Sequence, residues 1–193
     1  LLIYMIRHGQ TAWNAEGRLQ GQKDIPLNDT GRRQAAGNGH ALKGILGDAV
    51  PDFDFVASPL GRTRETMEIL RRAMGLDPLA YRTDPRLVEL SFGDWEGHTL
   101  AELKASAPER VEERARAKWN FIPPGEDAES YEILCWRIGS FLGDVTRPTV
   151  CVSHGGVFRA AFRLNGMDEE EAANTPIHQD RILRLDGTGM HWL

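Results

Sequence analysis

Only two cysteines, Cys135 and Cys151, occur in the 193-residue chain. They stand far apart and without metal-ligand spacing, which excludes a disulfide-rich scaffold and a cysteine zinc site and reads as two reduced core residues in a reducing compartment. No His/Asp/Glu cluster has ligand spacing either, so no metal is expected. No apolar run approaches the roughly 20 residues of a membrane span. The opening Leu1-Leu2-Ile3-Tyr4-Met5-Ile6 is too short for a signal-peptide core. The expectation is a cytoplasmic protein without a membrane partner. Positive charge is also scarce. A formal net charge of -5 argues against sequence-independent nucleic-acid binding, which needs clustered Lys and Arg to displace counterions. Any anion site must therefore be local. With 41% apolar and 26% charged residues, and neither repeats nor linkers, residues 1–193 are expected to fold as one domain.

What is present alternates between buried strands and helices. Leu1 to Ile6 reads as a strand buried on both faces that ends at Arg7-His8-Gly9. A long loop is expected after it, then a helix capped by Asn28 or Thr30 and running to a break at Gly44–Pro51. Phe53 to Ala57 is a second strand, with Ser58-Pro59 as the N-cap and first position of the next helix. Leu79 to Arg82 suggests a short third strand. Thr99–Ser106 and Pro108–Lys118 read as short helices, Pro123-Pro124-Gly125 as a break, and the stretch around 98–130 as a lid. A helix over Ser130–Val145 precedes the strand Thr149–Ser153, which ends in His154-Gly155-Gly156. Arg181–Leu185 and Met190–Leu193 flank a hairpin turn. This order implies an α/β three-layer sandwich: a mostly parallel central sheet with an antiparallel edge, and helices on both faces. Ligands of such sheets sit at the carboxyl ends of strands, where His8 and His154 both fall.

Arg7, His8, Thr11 and Asn14 combine a fixed cation, an imidazole and neutral hydrogen-bonding groups directly after a strand. That chemistry suits a phosphoryl group, whose transfer is catalysed mainly by positioning and charge stabilisation. The wider pattern is more specific. Arg7-His8-Gly9-Gln10-Thr11-x-Trp13-Asn14 is followed by Gly17-Arg18, Gln20-Gly21 and Pro26-Leu27. Then come Ser58-Pro59-Leu60-x-Arg62-x-x-x-Thr66, Leu87-x-Glu89-x-x-Phe92-Gly93-x-Trp95-Glu96-Gly97 and Val152-Ser153-His154-Gly155-Gly156. These four ordered blocks resemble the histidine phosphatase superfamily, also called phosphoglycerate mutase-like.

The resemblance implies roles. His8 matches the nucleophile, whose attacking nitrogen must be deprotonated while the other nitrogen donates to a carbonyl. Arg7 and Arg62 match the phosphate clamp, and His154 the second histidine. Glu89 matches the proton donor, and its carboxyl must carry a proton when substrate binds. Asn14, Gln20, Gly21 and Gly155 match positions that contact phosphate or substrate. Neither a metal nor an organic cofactor is implied. His40, His98, His178 and His191 read as structural, with His178 able to approach the pocket rim.

Trp119-x-Phe121-x-Pro123-Pro124-Gly125 resembles the phosphatase branch, including broad-specificity and α-ribazole phosphatases, although Glu126-Asp127-Ala128-Glu129-Ser130 departs from its usual Gly-Glu-Ser. The mutase branch would carry a longer Lys- and Arg-rich insert. Arg110, Arg114, Arg116 and Lys118 alternate instead with Glu109, Glu112 and Glu113, which reads as a solvated helix of paired charges. The expectation is a phosphomonoester hydrolase of histidine acid type, acting on a small phosphorylated metabolite. The alternatives are a mutase-type phosphotransferase and a non-catalytic phospho-ligand-binding regulator. A homodimer is left open.

Overall fold

The computed structural model describes all 193 residues. In chain order the elements are β1 (Ile3–Arg7), α1 (Ala12–Glu16), α2 (Asp29–Leu46), β2 (Asp54–Ala57), α3 (Gly61–Met74), β3 (Arg82–Thr83), α4 (Leu100–Ser106), α5 (Pro108–Arg116), α6 (Tyr131–Asp144), β4 (Thr149–Ser153), α7 (Gly155–Leu164), α8 (Glu169–Asn174), β5 (Ile182–Asp186) and β6 (Gly189–Trp192). The six strands form one sheet in the order β3-β2-β4-β1-β5-β6. Strands β1, β2, β3 and β4 pair in parallel, whereas β5 runs antiparallel to both β1 and β6. The mostly parallel sheet with an antiparallel edge is therefore as expected.

The continuous apolar run of β1 has a direct consequence for layering. Successive strand residues point to opposite faces, so Ile3 and Met5 join Leu134, Ile138 and Phe158 of α6 and α7 on one side. Tyr4 and Ile6 join Leu42, Met67 and Leu70 of α2 and α3 on the other. Each face thus gains its own core, and the strand ends stay free to carry polar groups. No helix is long and apolar enough to cross a membrane.

Three boundaries differ from the sequence reading. The loop after β1 contains α1, nucleated by a capping box in which Thr11 and Asn14 each bond the other's backbone N–H. Helix α3 starts at Gly61 and not at Pro59. Its cap is supplied across space by Asp24, whose carboxylate accepts from the N–H groups of Gly61 at 2.6 Å and Arg62 at 3.3 Å, which releases Ser58 for another task. Strand β3 is only Arg82–Thr83, because Asp77 Oδ1 accepts the Leu79 N–H at 3.0 Å and draws that stretch into a turn.

Candidate active site

The register of the central strands builds the site. β1 and β4 are neighbours with Arg7 opposite Ser153, so the next residues, His8 and His154, leave the sheet side by side. Their ring centroids lie 5.3 Å apart. Both are buried, at 2% and 0% exposure. The Gly9 N–H donates to Thr66 Oγ1 at 3.1 Å, and a Cβ on Gly9 would fall 2.2 Å from the Gly31 carbonyl oxygen. Glycine is therefore required where this turn crosses the start of α2.

His8 Nδ1 lies 2.8 Å from the Gly9 carbonyl oxygen. A carbonyl can only accept, so Nδ1 holds the proton and Nε2 keeps its lone pair. Burial, then Arg62 and Arg7, hold the imidazole well below its ordinary pKa. The ring is neutral at physiological pH, as an attacking imidazole must be. His154 is likewise held well below its usual value, by burial first and then by Arg62. Ser58 Oγ receives the Leu60 N–H at 3.4 Å and lies 2.8 Å from His154 Nε2. A hydroxyl that donates to Nε2 leaves the His154 proton on Nδ1.

The guanidinium groups are held by carbonyls and not by carboxylates in close contact. Arg7 Nη1 donates to the Ile177 carbonyl at 3.0 Å. Arg62 donates to the Gly21 and Lys23 carbonyls at 2.6 Å each, while Asp24 stands 3.8 Å away. Arg7 thus has no carboxylate within ion-pair distance, and Arg62 has only Asp24, at the limit of that distance. Arg7 Nε, Arg62 Nε and His154 Nδ1 are buried without a hydrogen-bond partner. Each such group costs about 1–3 kcal/mol in a folded protein. Three of them around one imidazole are donors set for an oxyanion.

Glu89 enters from the loop after Leu87. Its Oε1 accepts the Leu90 N–H at 2.8 Å, and both its oxygens lie 3.1 Å from the Gly156 nitrogen. A Cβ on Gly156 would fall 2.3 Å from Glu89 Oε1, so this glycine makes room for the carboxylate. Arg7, His8, Arg62 and Glu89 line one cavity of about 210 Å³ together with Asn14, Gln20, Gly21 and Gly155. His154 is not itself a lining residue, but its ring lies 5.3 Å from that of His8. The side chains form no group of three or more His, Cys, Asp or Glu able to hold a metal ion.

The family model described as histidine phosphatase superfamily (branch 1) matches residues 3–193. The chain belongs to that superfamily. It is 42% identical over 163 residues to a Cronobacter sakazakii protein named "Probable phosphoglycerate mutase GpmB", covering 80% of this chain and 70% of that protein. It is 35% identical over 170 residues to the glucosyl-3-phosphoglycerate phosphatase of Mycobacterium tuberculosis, covering 82% and 72%. Among solved structures it resembles TTHB049 from Thermus thermophilus, with a TM-score of 0.73 and 32% identity over 97% of this chain and 94% of that one.

In this superfamily member the four sequence blocks converge on one cavity, but other residues join them. Gln179 Nε2 donates to the His8 carbonyl and to Asn14 Oδ1, at 3.1 Å each. Asn14 Oδ1 also accepts the Thr11 N–H at 3.1 Å, so the amide carbonyl of Asn14 is fully used and its NH₂ is left for the cavity. Nothing in the sequence around Gln179 marks it. His178 packs edge-on against Trp192, with centroids 4.9 Å apart, whereas its neighbour Ile177 lines the cavity. Phe92 reaches the cavity wall. Glu96 braces its loop by accepting the N–H groups of Gln22 and Phe92 at 3.0 and 3.2 Å.

The reading of α5 as a solvated face of paired charges needs correction. Arg110 pairs with Glu113, and Arg116 is exposed. Arg114 and Lys118, however, are half-buried and line the cavity. Tyr131 and Arg159 join them there.

Proposed function

We propose that this chain is a metal-independent phosphomonoester hydrolase of small phosphorylated metabolites that works through a phosphohistidine on His8. The observation that carries the reading is the Nδ1–H···O=C bond of His8, which leaves Nε2 free for attack beside three unpartnered buried donors. Nε2 attacks phosphorus as the P–O bond to the leaving group breaks, and the Glu89 carboxyl gives its proton to the departing oxygen. Glu89, now a carboxylate, takes a proton from water. The water oxygen then attacks phosphorus, the N–P bond breaks, and His8 returns neutral. Arg7 and Arg62 hold the equatorial oxygens and His154 donates from Nδ1. Asn14, Gln20, Gly21 and the Gly155 backbone N–H at the start of α7 contact the phosphoryl group or the ester body. Residues 98–130 cover the cavity as a lid on a one-domain frame.

A mutase-type phosphotransferase shares the first half of this reaction and is the second reading, favoured by the 42% identity to the GpmB-named protein. Phosphate release from p-nitrophenyl phosphate, sugar phosphates, 3-phosphoglycerate and α-ribazole phosphate separates the two. Selective release unaffected by chelator is the expected result. Isomerisation of 3-phosphoglycerate without net release would give the mutase reading the priority.

A further inference from the structure

Glu89 carries its carboxyl into the cavity from a stretch of chain without regular structure. Residues 88–90 belong to no helix or strand, so no ladder fixes their backbone and its polar groups need partners from elsewhere. Side chains supply them. The carbonyls of Arg86 and Val88 each accept from Arg137 Nη1 at 2.6 Å, and that of Glu89 accepts from Arg137 Nη2 at 3.1 Å. The Leu87 carbonyl accepts from Ser153 Oγ at 2.9 Å, and Gln22 Nε2 adds a second donor to the Glu89 carbonyl at 3.2 Å. Every carbonyl from Arg86 to Glu89 is thus held by a side chain, and one guanidinium holds three of the four.

Arg137 is itself held. It lies in α6, and its Nε and Nη2 donate to Oε1 and Oε2 of Glu129 at 3.1 and 2.9 Å, a two-pronged ion pair. The two side chains are only 21% and 16% exposed. Glu129 stands just ahead of Ser130, whose hydroxyl caps α6 by accepting the Ile133 N–H at 3.2 Å. Glu129 also grips the far side of the Glu89 loop: its Oε2 accepts the Ser91 N–H at 3.0 Å, and its own N–H donates to the Ser91 carbonyl at 2.9 Å. The chain on both sides of Glu89 is therefore tied to one ion pair. A guanidinium suits this task because its donors point in fixed directions to several acceptors at once, which an ammonium cannot reproduce. Neither Arg137 nor Glu129 lines the cavity.

We propose that Arg137, clamped by Glu129, is a positioning residue for the proton donor: the pair fixes the backbone on either side of Glu89 and thereby sets its carboxyl against the leaving oxygen. The inference rests on the phosphatase reading above, in which Glu89 protonates that oxygen. Such placement matters because an error of about 1 Å at a reacting group can cost about a hundredfold in rate.

Arg137→Lys keeps the charge and loses the fork, whereas Glu129→Gln keeps an oxygen for the Ser91 N–H and loses the ion pair. Each should lower kcat for glycerol 3-phosphate by at least about tenfold, with little change in KM. The loss should be several-fold smaller for p-nitrophenyl phosphate, whose leaving group needs little protonation. In a Glu89→Gln background, Arg137→Lys should cost no more than about a further twofold, because residues that act through one group are not additive. A role confined to stability or to the nucleophile would penalise both esters alike and add in full to Glu89→Gln. Either of those results would overturn the proposal.

Amide hydrogen exchange reads the same geometry without turnover. The N–H groups of Leu90 and Gly156 are bonded to the Glu89 carboxylate, and in both variants they should exchange at least about tenfold faster than in the wild type. The Gly9 N–H, which meets Thr66 Oγ1, should be unchanged. If Arg137→Lys does not fold, Glu129→Gln carries both readouts. Wild-type protection of Leu90 and Gly156 in a folded variant would overturn the proposal. A wild type that releases no phosphate from either ester would overturn the phosphatase reading instead, and exchange would then decide the clamp alone.

Discussion

His8→Ala is expected to lower kcat/KM by at least about 10⁴-fold, on the scale of removing the nucleophile of a catalytic unit. The remaining groups can still bind a phosphoryl oxygen, so KM should change far less than kcat. The substitution removes the Nδ1–H···O=C bond to Gly9 and leaves a small void beside His154. The Gly9 N–H still meets Thr66 Oγ1 and the His8 N–H still meets the Ser153 carbonyl, so the turn keeps its backbone anchors. A thermal melt on the same sample separates lost chemistry from lost structure. A folded His8→Ala protein with wild-type turnover would remove the covalent mechanism.

Glu89→Gln is the second large effect, with an expected loss of about 10²–10⁴-fold in kcat, the usual contribution of a general acid or base. An amide oxygen can still accept from the N–H groups of Leu90 and Gly156, so the loop is preserved, but no proton can be given or taken. The defect should be larger for alkyl phosphates than for p-nitrophenyl phosphate, whose leaving group needs little protonation. Burial and the nearby arginines keep His8 and His154 neutral to well below their usual pKa near 6.5. Protonation of either histidine therefore contributes no acid limb close to neutrality. Equal losses on both kinds of ester would show that Glu89 is not the proton donor.

Much of this arrangement was legible because strand ends are legible. Two continuous apolar runs, each stopping at a histidine and glycine, predict adjacent buried strands that deliver both rings to one edge, and the β1–β4 register does so. Side-chain contacts across space were not legible. Asp24 caps α3 from a loop 37 residues away, so Ser58-Pro59 looked like a local cap when its hydroxyl in fact meets His154. Helix α8, capped by Asp168, begins with Glu169-Glu170-Glu171 and shows no apolar period, yet the carbonyls at its C-terminal end anchor Lys118 and Arg159.

The charges of α5 illustrate the same limit. Read along the chain, Arg and Glu alternate and suggest surface pairs. Read at helical spacing, Arg110 and Arg114 stand four residues apart on one face, and Lys118 follows after four more, just beyond the end of α5. That face is half-buried, with Arg110 stacked 4.8 Å from the Phe121 ring and the other two on the cavity wall. The helical period was the available signal.

The most direct test of the account is to trap the phosphoryl group on the protein. Glu89→Gln should be mixed rapidly with ³²P-labelled p-nitrophenyl phosphate and quenched in alkali, where phosphohistidine survives, before peptides are mapped. The predicted result is one acid-labile label on His8, formed with a burst of p-nitrophenol and absent when His8 is also replaced by alanine. A nitrophenol burst that leaves His8 unlabelled, or a label carried by any other residue, would contradict it.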